Sequence, residues 1–425
     1  MSVRIAALAA CMAAACAAAS PPVRAAERLG LDDAIARVDA LHPDLRLFGA
    51  LRAQREAERD QAALTPALTA GATLENAFGS GQASGLSGAE LTLTLAAVFE
   101  RGGKLDARRV LAQSRIDALA VEREGRRLDL LAEVARRYLA AVGAQGEAAI
   151  AQTDIAQRAQ ALAAAERRLR AGASPEAVVL AARAALAQAE LGAARAEQHG
   201  LAARQALAAL WGERAPRFEL APADPLALPA IAGFDELAAL IERTPEIARF
   251  ADERRIGEAR LRLARTEERP DASWQIGVRR LQADGDVALV GGVSIPLGAA
   301  RRAAPGIRAA EAELGALEIE RESRALSLYA TLADAHGRYR VAQLEVERLQ
   351  RDVVPLLVRG VAAAERAYAG GAASYLELAQ IQSEHTRALM QRLQAALAAQ
   401  QALIEIQRLT GQSVLAAPTD SGVTP

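Results

Sequence analysis

Ala163-Ala164-Ala165-Glu166-Arg167, followed by Gly172 and Ser174, returns near the end of the chain as Ala362-Ala363-Ala364-Glu365-Arg366, followed by Gly371 and Ser374. A second echo frames the first: Leu41-His42-Pro43-Asp44-Leu45 is answered by Arg243-Thr244-Pro245-Glu246-Ile247. One long unit is therefore written twice, and a long-period repeat decides an architecture before any local reading does. Between the copies runs a stretch with Pro216, Pro222, Pro225 and Pro229, which no helix interior tolerates. The expected organisation is a signal peptide over 1–25, a first repeat over 26–214, a Pro-rich linker over 215–233, a second repeat over 234–412 and a disordered tail over 413–425.

Each copy reads in the same order. An amphipathic helix opens it, expected over Leu31–Leu64 and over Phe234–Glu268, each ending near a proline (Pro66, Pro270). The period then switches to two. Ala70, Ala72 and Leu74, a loop rich in Gly and Ser, and Leu91, Leu93 and Leu95 make one β-hairpin. Trp274, Ile276 and Val278, the turn residues Asp284-Gly285-Asp286 and a return strand over Val287–Leu297 make the other. The strands are about as long as those that cross a bilayer in a tilted barrel.

After each hairpin the period becomes helical and stays so. From Lys104 to Arg170 there is no proline, and Leu105, Leu111, Ile116, Leu131, Val134 and Leu139 keep one apolar side. At 1.5 Å per residue such a helix is on the order of 100 Å long. Copy two repeats it over Ile307–Ala369, with a kink expected at Pro355. Returning helices are expected over Pro175–Trp211 and Tyr375–Leu409, the glycines at 172, 370 and 371 marking the reversals.

Composition agrees with thin helical packing. Ala, Leu, Arg, Glu and Gln dominate the 425 residues, and aromatic side chains, at 3%, are too few to anchor thick globular cores. The 51 basic and 52 acidic residues are interspersed, so no basic face for nucleic acid exists. Arg4, an apolar run from Ile5 to Ala19, and small residues up to Ala25 have the layout of a secretory signal peptide. Both cysteines, Cys11 and Cys16, fall inside it. Either the mature chain has none, or one of them is the lipid-modified first residue of a lipoprotein. No later window approaches 18 consecutive apolar residues, so any membrane crossing is expected from strands.

Two hairpins supply four strands, which cannot close a barrel, and an open edge in lipid leaves backbone groups unsatisfied at several kcal/mol each. The missing strands must come from other subunits. The expected fold is mainly α with a small β part: long antiparallel helical hairpins plus two β-hairpins per protomer, three protomers forming a 12-stranded β-barrel and a helical cylinder.

Glu75-Asn76, Phe78-Gly79-Ser80-Gly81, Phe99-Glu100-Arg101-Gly102-Gly103-Lys104 and Val293-Ser294-Ile295-Pro296-Leu297 resemble the outer-membrane factor (TolC-like) family, and within it the cobalt/zinc/cadmium heavy-metal efflux branch (CzcC type). Thr65-Pro66-Ala67-Leu68 departs from the Asn-Pro-Glu-containing lead-in that is more usual there. The resemblance implies a homotrimer in the Gram-negative outer membrane, surrounded by its lipid and extended by a periplasmic α-barrel. Its partners would be a periplasmic membrane-fusion adaptor and an inner-membrane RND transporter. It implies a passive exit duct rather than an enzyme, with no cofactor and no nucleic acid. Gly172, Ser174, Gly371, Ser374 and Tyr375 would dock the adaptor. Glu377, with Gln380 one turn on, would narrow the periplasmic end, since three copies of Glu377 form an acidic ring that favours cations. The competing reading of Glu377 is a solvated helix charge.

Other signals have plain explanations. No two of His42, His199, His336 and His385 are within four residues of each other, so helical ligand spacing is absent. Arg101-Gly102-Gly103-Lys104 lacks the spacing of a phosphate loop and reads as a strand-to-helix turn. Ser, His and Asp are too sparse to nominate a catalytic triad. Asp32, Asp33 and Ser374 read as helix-start residues. Rival functions are a TolC-like duct for drugs or type I secreted proteins, a periplasmic adaptor, and a coiled-coil structural protein. The paired strands at matching places in both copies argue against the last two.

Overall fold

A computed structural model describes residues 28–412; the signal segment with Cys11 and Cys16, and the tail over 413–425, lie outside the described residues. A short strand β1 (Arg28–Leu29) leads into α1 (Leu31–Leu41) and α2 (Pro43–Ala62). The strands β2 (Thr69–Glu75) and β3 (Glu90–Phe99) follow, then the long helix α3 (Lys104–Arg170) and its return α4 (Glu176–Ala208). After β4 (Glu219–Leu220), the second copy runs through α5 (Phe234–Ala238), α6 (Pro245–Thr266), β5 (Ala272–Leu281), β6 (Val287–Ser294), α7 (Ala299–Arg348), α8 (Val354–Ala369) and α9 (Tyr375–Thr410).

The opening helix of each copy is broken where a single helix was expected. His42 and Thr244 are extended, and Pro43 and Pro245 each occupy the first turn of a new helix, where a missing N–H costs nothing. His42 also caps α2, its Nδ1 accepting the Asp44 N–H at 3.1 Å. In copy two, α7 begins at Ala299, earlier than expected, and accommodates Pro305 in its interior. The disturbance at Pro355 takes the form of a π-helical turn, Leu349–Val353, immediately before α8. Pro355 has no N–H to return to the preceding turn, and the looser turn absorbs that loss.

The four membrane-length strands form one antiparallel sheet in the order β2-β3-β5-β6, so the two hairpins join through β3 and β5. Both outer strands, β2 and β6, keep one unpaired edge among the described residues. Away from the sheet, the helices lie side by side as a wall. Near the strands the neighbours run α2, α3, α6, α7; farther away they run α4, α3, α9, then α7 and α8.

Close approach along this wall comes from glycine. A Cβ on Gly143 or Gly146 would meet Leu397 or Leu393 of α9 at 2.8 and 2.9 Å, so leucine knobs fill the space that the missing side chains leave. The Pro-rich segment after α4 is a packed strap. Phe218 and Leu220 are buried, Leu228 and Ile231 pack on the second core, and Gln400 donates to the Ala227 carbonyl at 3.1 Å. The Tyr339 hydroxyl donates to the carbonyl of Pro229. Within the strap, β4 pairs in parallel with β1.

The expectation that no later segment could cross a membrane as a helix needs correcting. Glu176–Trp211 contains an 18-residue window of mean hydropathy 1.3, long and apolar enough to span. Its place beside α3 explains the composition, because α4 forms one margin of the wall and exposes Leu180, Leu191 and Leu201 along a side that no other described helix covers.

Candidate functional site

The sheet has two chemically opposite faces, because strand side chains alternate. One face carries Leu74 of β2, Leu91, Leu93 and Leu95 of β3, Trp274, Ile276 and Val278 of β5, and Val287, Leu289 and Val293 of β6, brought side by side by the register. All are exposed, Leu289 at 88% and Val293 at 74%. The other face carries Thr69, Thr73, Thr92, Thr94, Gln275 and Ser294. Near the loop end of this polar face Arg279 reaches across three strands. It donates to Thr92 Oγ1 at 3.0 Å, Glu90 Oε2 at 3.1 Å and Glu75 Oε2 at 3.4 Å. A sheet with one dry, exposed face and one polar, ion-paired face is built for lipid outside and water inside.

Where strands become helices, Gly102 and Gly103 take left-handed conformations at φ 83° and 78°, turning the chain sharply out of β3. Lys104, only 6% exposed, lies 2.9 Å from Asp271 Oδ2 and 3.2 Å from Glu267 Oε2, and the Arg101 N–H donates to Asp271 Oδ1 at 3.1 Å. Arg108 donates to Glu100 at 2.8 Å and to the Ala62 carbonyl at 3.2 Å. The turn between β3 and α3 is thus tied to the one between α6 and β5.

These charges set a pH window. Burial pulls the Lys104 ammonium down, but Asp271 and Glu267 outweigh it and hold it above the usual 10.5. Burial pushes Asp271 up, but Lys104 and the Arg101 N–H outweigh that and hold it below 3.8. A depressed carboxylate contributes stability that is full above its ordinary value and lost as pH falls through the lowered one; a raised ammonium contributes until pH climbs through its raised value. Thermal unfolding is therefore expected to be flat between about pH 5 and 9 and to fall in acid. Asp271→Asn is expected to lower the neutral plateau and flatten the acid limb, and an unchanged acid limb in melts of the variant refutes the assignment.

At the far end of the wall lie the residues that the sequence nominated. Gly172 and Gly371 occupy left-handed conformations at φ 69° and 82°, reversing the chain at the two hairpin tips. The tips differ. Ser374 and Glu377 form a capping box on α9: the Glu377 N–H donates to Ser374 Oγ at 3.3 Å, while its carboxylate accepts from the Ser374 N–H at 2.7 Å and the hydroxyl at 2.9 Å. The Ser374 N–H and hydroxyl hold the Glu377 carboxyl below the usual range. In the first hairpin Ser174 precedes Pro175, which takes the cap position of α4 without a side-chain bond. Glu377 and Gln380 are both exposed. Tyr375 is half-buried and packs against residues of both hairpins, Leu378 and Tyr368 on one side and Ala165 and Val179 on the other.

Three groups that sequence reading missed hold the hairpins together. Arg168 donates to the Tyr368 carbonyl at 2.6 Å and lies over that ring at 4.9 Å. About three turns farther from the tip, buried Arg158 of α3 bonds Asp154 at 3.2 Å and, on α9, Ser383 Oγ at 2.9 Å. Asp154 accepts the Thr386 hydroxyl at 2.9 Å, and Gln157 bonds His385 Nδ1 at 3.1 Å. The available signal was a charge inside an apolar stripe, since Arg158 shares its helix side with buried Ala161 and Ala165.

The histidines are scattered: His199 is near Glu147, His336 is edge-on to Phe234, and His385 is in the seam. No cluster of three or more potential metal-binding His, Cys, Asp or Glu occurs among the described residues.

Residues 35–213 match the model of the outer membrane efflux protein family. That stretch is less than half of the chain. The chain as a whole resembles a curated relative and several solved structures. It is 28% identical over 315 residues to the cobalt-zinc-cadmium resistance protein CzcC of Cupriavidus metallidurans, covering 74% of this chain and 75% of that protein. Among solved structures, it overlays CusC with a TM-score of 0.74 at 18% identity, over 90% of this chain and 92% of that one. VceC of Vibrio cholerae overlays with a TM-score of 0.72 at 18% identity, over 90% and 96%. The outer-membrane channel OprN gives 0.73 at 22% identity, over 90% of each chain. These likenesses establish the TolC-like fold.

Proposed function

We propose that the chain assembles as a homotrimer, β6 of each protomer pairing with β2 of the next, so that three four-stranded sheets close a 12-stranded barrel. The observation that carries this reading is the sheet itself, apolar and exposed on one face and unpaired at both edges. Closure satisfies every edge group, which lipid cannot. The same symmetry brings exposed Leu180, Leu191 and Leu201 of α4 toward Val341, Leu344, Leu356 and Val358 at the other margin of the wall. The two copies, 26–214 and 234–412, then each contribute one hairpin to the barrel and one to the periplasmic cylinder.

In this reading the duct serves a tripartite pump, with a periplasmic membrane-fusion adaptor at the tips and an inner-membrane RND transporter beyond, and carries heavy-metal cations of the cobalt/zinc/cadmium type. Similarity to a cobalt-zinc-cadmium resistance protein supports the cargo. A groove of about 280 Å³ beside the tips, lined by Ala161, Ala164, Arg167, Glu365 and Tyr368, offers small side chains for a partner helix to approach. Deletion of the gene is expected to lower the tolerated concentration of cobalt, zinc or cadmium several-fold. Unchanged metal tolerance with heightened drug sensitivity transfers the cargo to drugs.

Glu377 has two roles here, capping α9 and, three-fold repeated, presenting an ionised ring at the tip. Two substitutions separate them. Glu377→Gln keeps a group able to reach back to the Ser374 N–H and removes the charge; Glu377→Ala removes both. In planar bilayers, Glu377→Gln trimers are expected to lose roughly two- to five-fold of their cation-over-anion preference. Wild-type selectivity in that variant leaves Glu377 a cap alone.

A further inference from the structure

Arg279 and Arg280 are consecutive in β5 and therefore point to opposite faces of the sheet. Arg279, on the polar face, has two carboxylates and a hydroxyl within reach. Arg280, on the apolar face, is flanked in register by Leu91 and Val287, both exposed, with Val278 next on its own side. It is exposed and makes no hydrogen bond or ion pair with any described residue, the turn aspartates Asp284 and Asp286 included. A guanidinium without a counter-charge on an otherwise dry face is costly in lipid unless its long stem carries the head out to the interface.

Position supplies the missing partner. Trp274, six residues earlier on the same face, lies toward the junction with the helices, and Arg280 lies toward the loops, about 20 Å farther along the strand. The helices extend into the periplasm, so the loop end faces the outer leaflet, and Arg280 reaches its headgroup layer from the level of Leu91 and Val287. The planar fork of five N–H donors matches phosphate oxygens in pairs, as a lysine cannot. We propose that Arg280 is a lipid-binding residue, holding the phosphate of an anionic lipid headgroup in the outer leaflet once per protomer. The proposal rests on the barrel reading above, because only closure turns this face to lipid.

The test is native mass spectrometry of the intact trimer, titrated with phosphatidylglycerol or with lipid A in mixed micelles and, separately, with phosphatidylcholine and with inorganic phosphate. Wild type is expected to retain up to three anionic lipids, in preference to phosphatidylcholine, and inorganic phosphate is not expected to displace them. Arg280→Gln is expected to bind the anionic lipids about five-fold more weakly, and Arg280→Lys to recover part of that loss. Equal retention by wild type and Arg280→Gln overturns the proposal while leaving the barrel intact. Displacement by inorganic phosphate overturns the lipid assignment. Should Arg280→Gln fail to assemble, the wild-type titration decides alone: no preference for anionic over zwitterionic lipid overturns the site. Failure of the wild type to form trimers at all refutes the barrel reading instead.

Discussion

Gly277→Val is expected to abolish the assembled channel. Gly277 lies in β5 opposite Thr94 of β3 and Val290 of β6, inside the seam that joins the two hairpins. A Cβ there would lie 2.5 Å from the Leu93 carbonyl oxygen and 2.9 Å from Thr94 Cγ2. The first of these is backbone and cannot rotate away, so β3 and β5 must separate and lose ladder hydrogen bonds in lipid, where nothing replaces them. Overpacking alone costs about 1 to 3 kcal/mol, and each trimer carries the defect three times. The heat-modifiable trimer band in outer-membrane fractions should therefore drop more than ten-fold, with the chain appearing as periplasmic monomer or aggregate. Gly291→Ala is the matched control: its Cβ would have the Gln275 carbonyl oxygen at 3.9 Å, ordinary contact, and its trimer band should equal wild type. Normal trimers from Gly277→Val would mean that the hairpins do not meet through these strands.

That joint shows where sequence reading reached its limit. Both hairpins were legible, because Leu91, Leu93 and Leu95 alternate with Thr92 and Thr94 and no helix buries such a pattern. Their mutual pairing was not, since nothing in a strand's own alternation names its neighbour. The long helices were legible from unbroken periodicity. The breaks at His42 and Thr244 were hidden because a proline in a first turn belongs to a helix as readily as it ends one. Pro305 misled in the opposite sense, delaying the expected start of α7 although its neighbours hold the helix through it. At the tip, the repeat exposed both reversals and the resemblance pointed to Glu377, but neither exposed the bond that Arg168, which stands where the second copy has Ala367, makes across to the other hairpin. A side chain that crosses between hairpins leaves no mark on the periodicity of either.

The polar seam between α3 and α9 has the largest expected consequence for conduction. Arg158→Ala leaves Asp154 part-buried beside Thr386 without its cation, and removes the bonds from α3 to Ser383 and the Ala379 carbonyl. Breaking a buried pair costs about 3 to 5 kcal/mol. On the proposed reading of the tip as a constriction, a wider state in which the second hairpin has slid against the first would not need these bonds, so most of that cost would fall on the narrow state. A bias of even 2 kcal/mol shifts the balance toward the wide state about 30-fold per protomer. Trimers of Arg158→Ala are therefore expected to conduct at least ten-fold more than wild type in planar bilayers, while the heat-modifiable band, which reports the barrel, stays in place. The double variant with Asp154→Ala should recover part of the closure, because it leaves no orphaned carboxylate. His385 adds a pH dependence to the same seam. Burial, reinforced by Arg392 and opposed by Asp154, holds its imidazole below the usual 6.5. On the same reading, a histidine freed of this burial in the wide state would favour the narrow state above its ordinary value and lose that contribution as pH falls toward the lowered one. Wild-type conductance should accordingly rise as pH drops below about 6, and His385→Gln should remove that rise. Equal conductance of wild type and Arg158→Ala across this range would show that the seam fixes the helices without governing the opening.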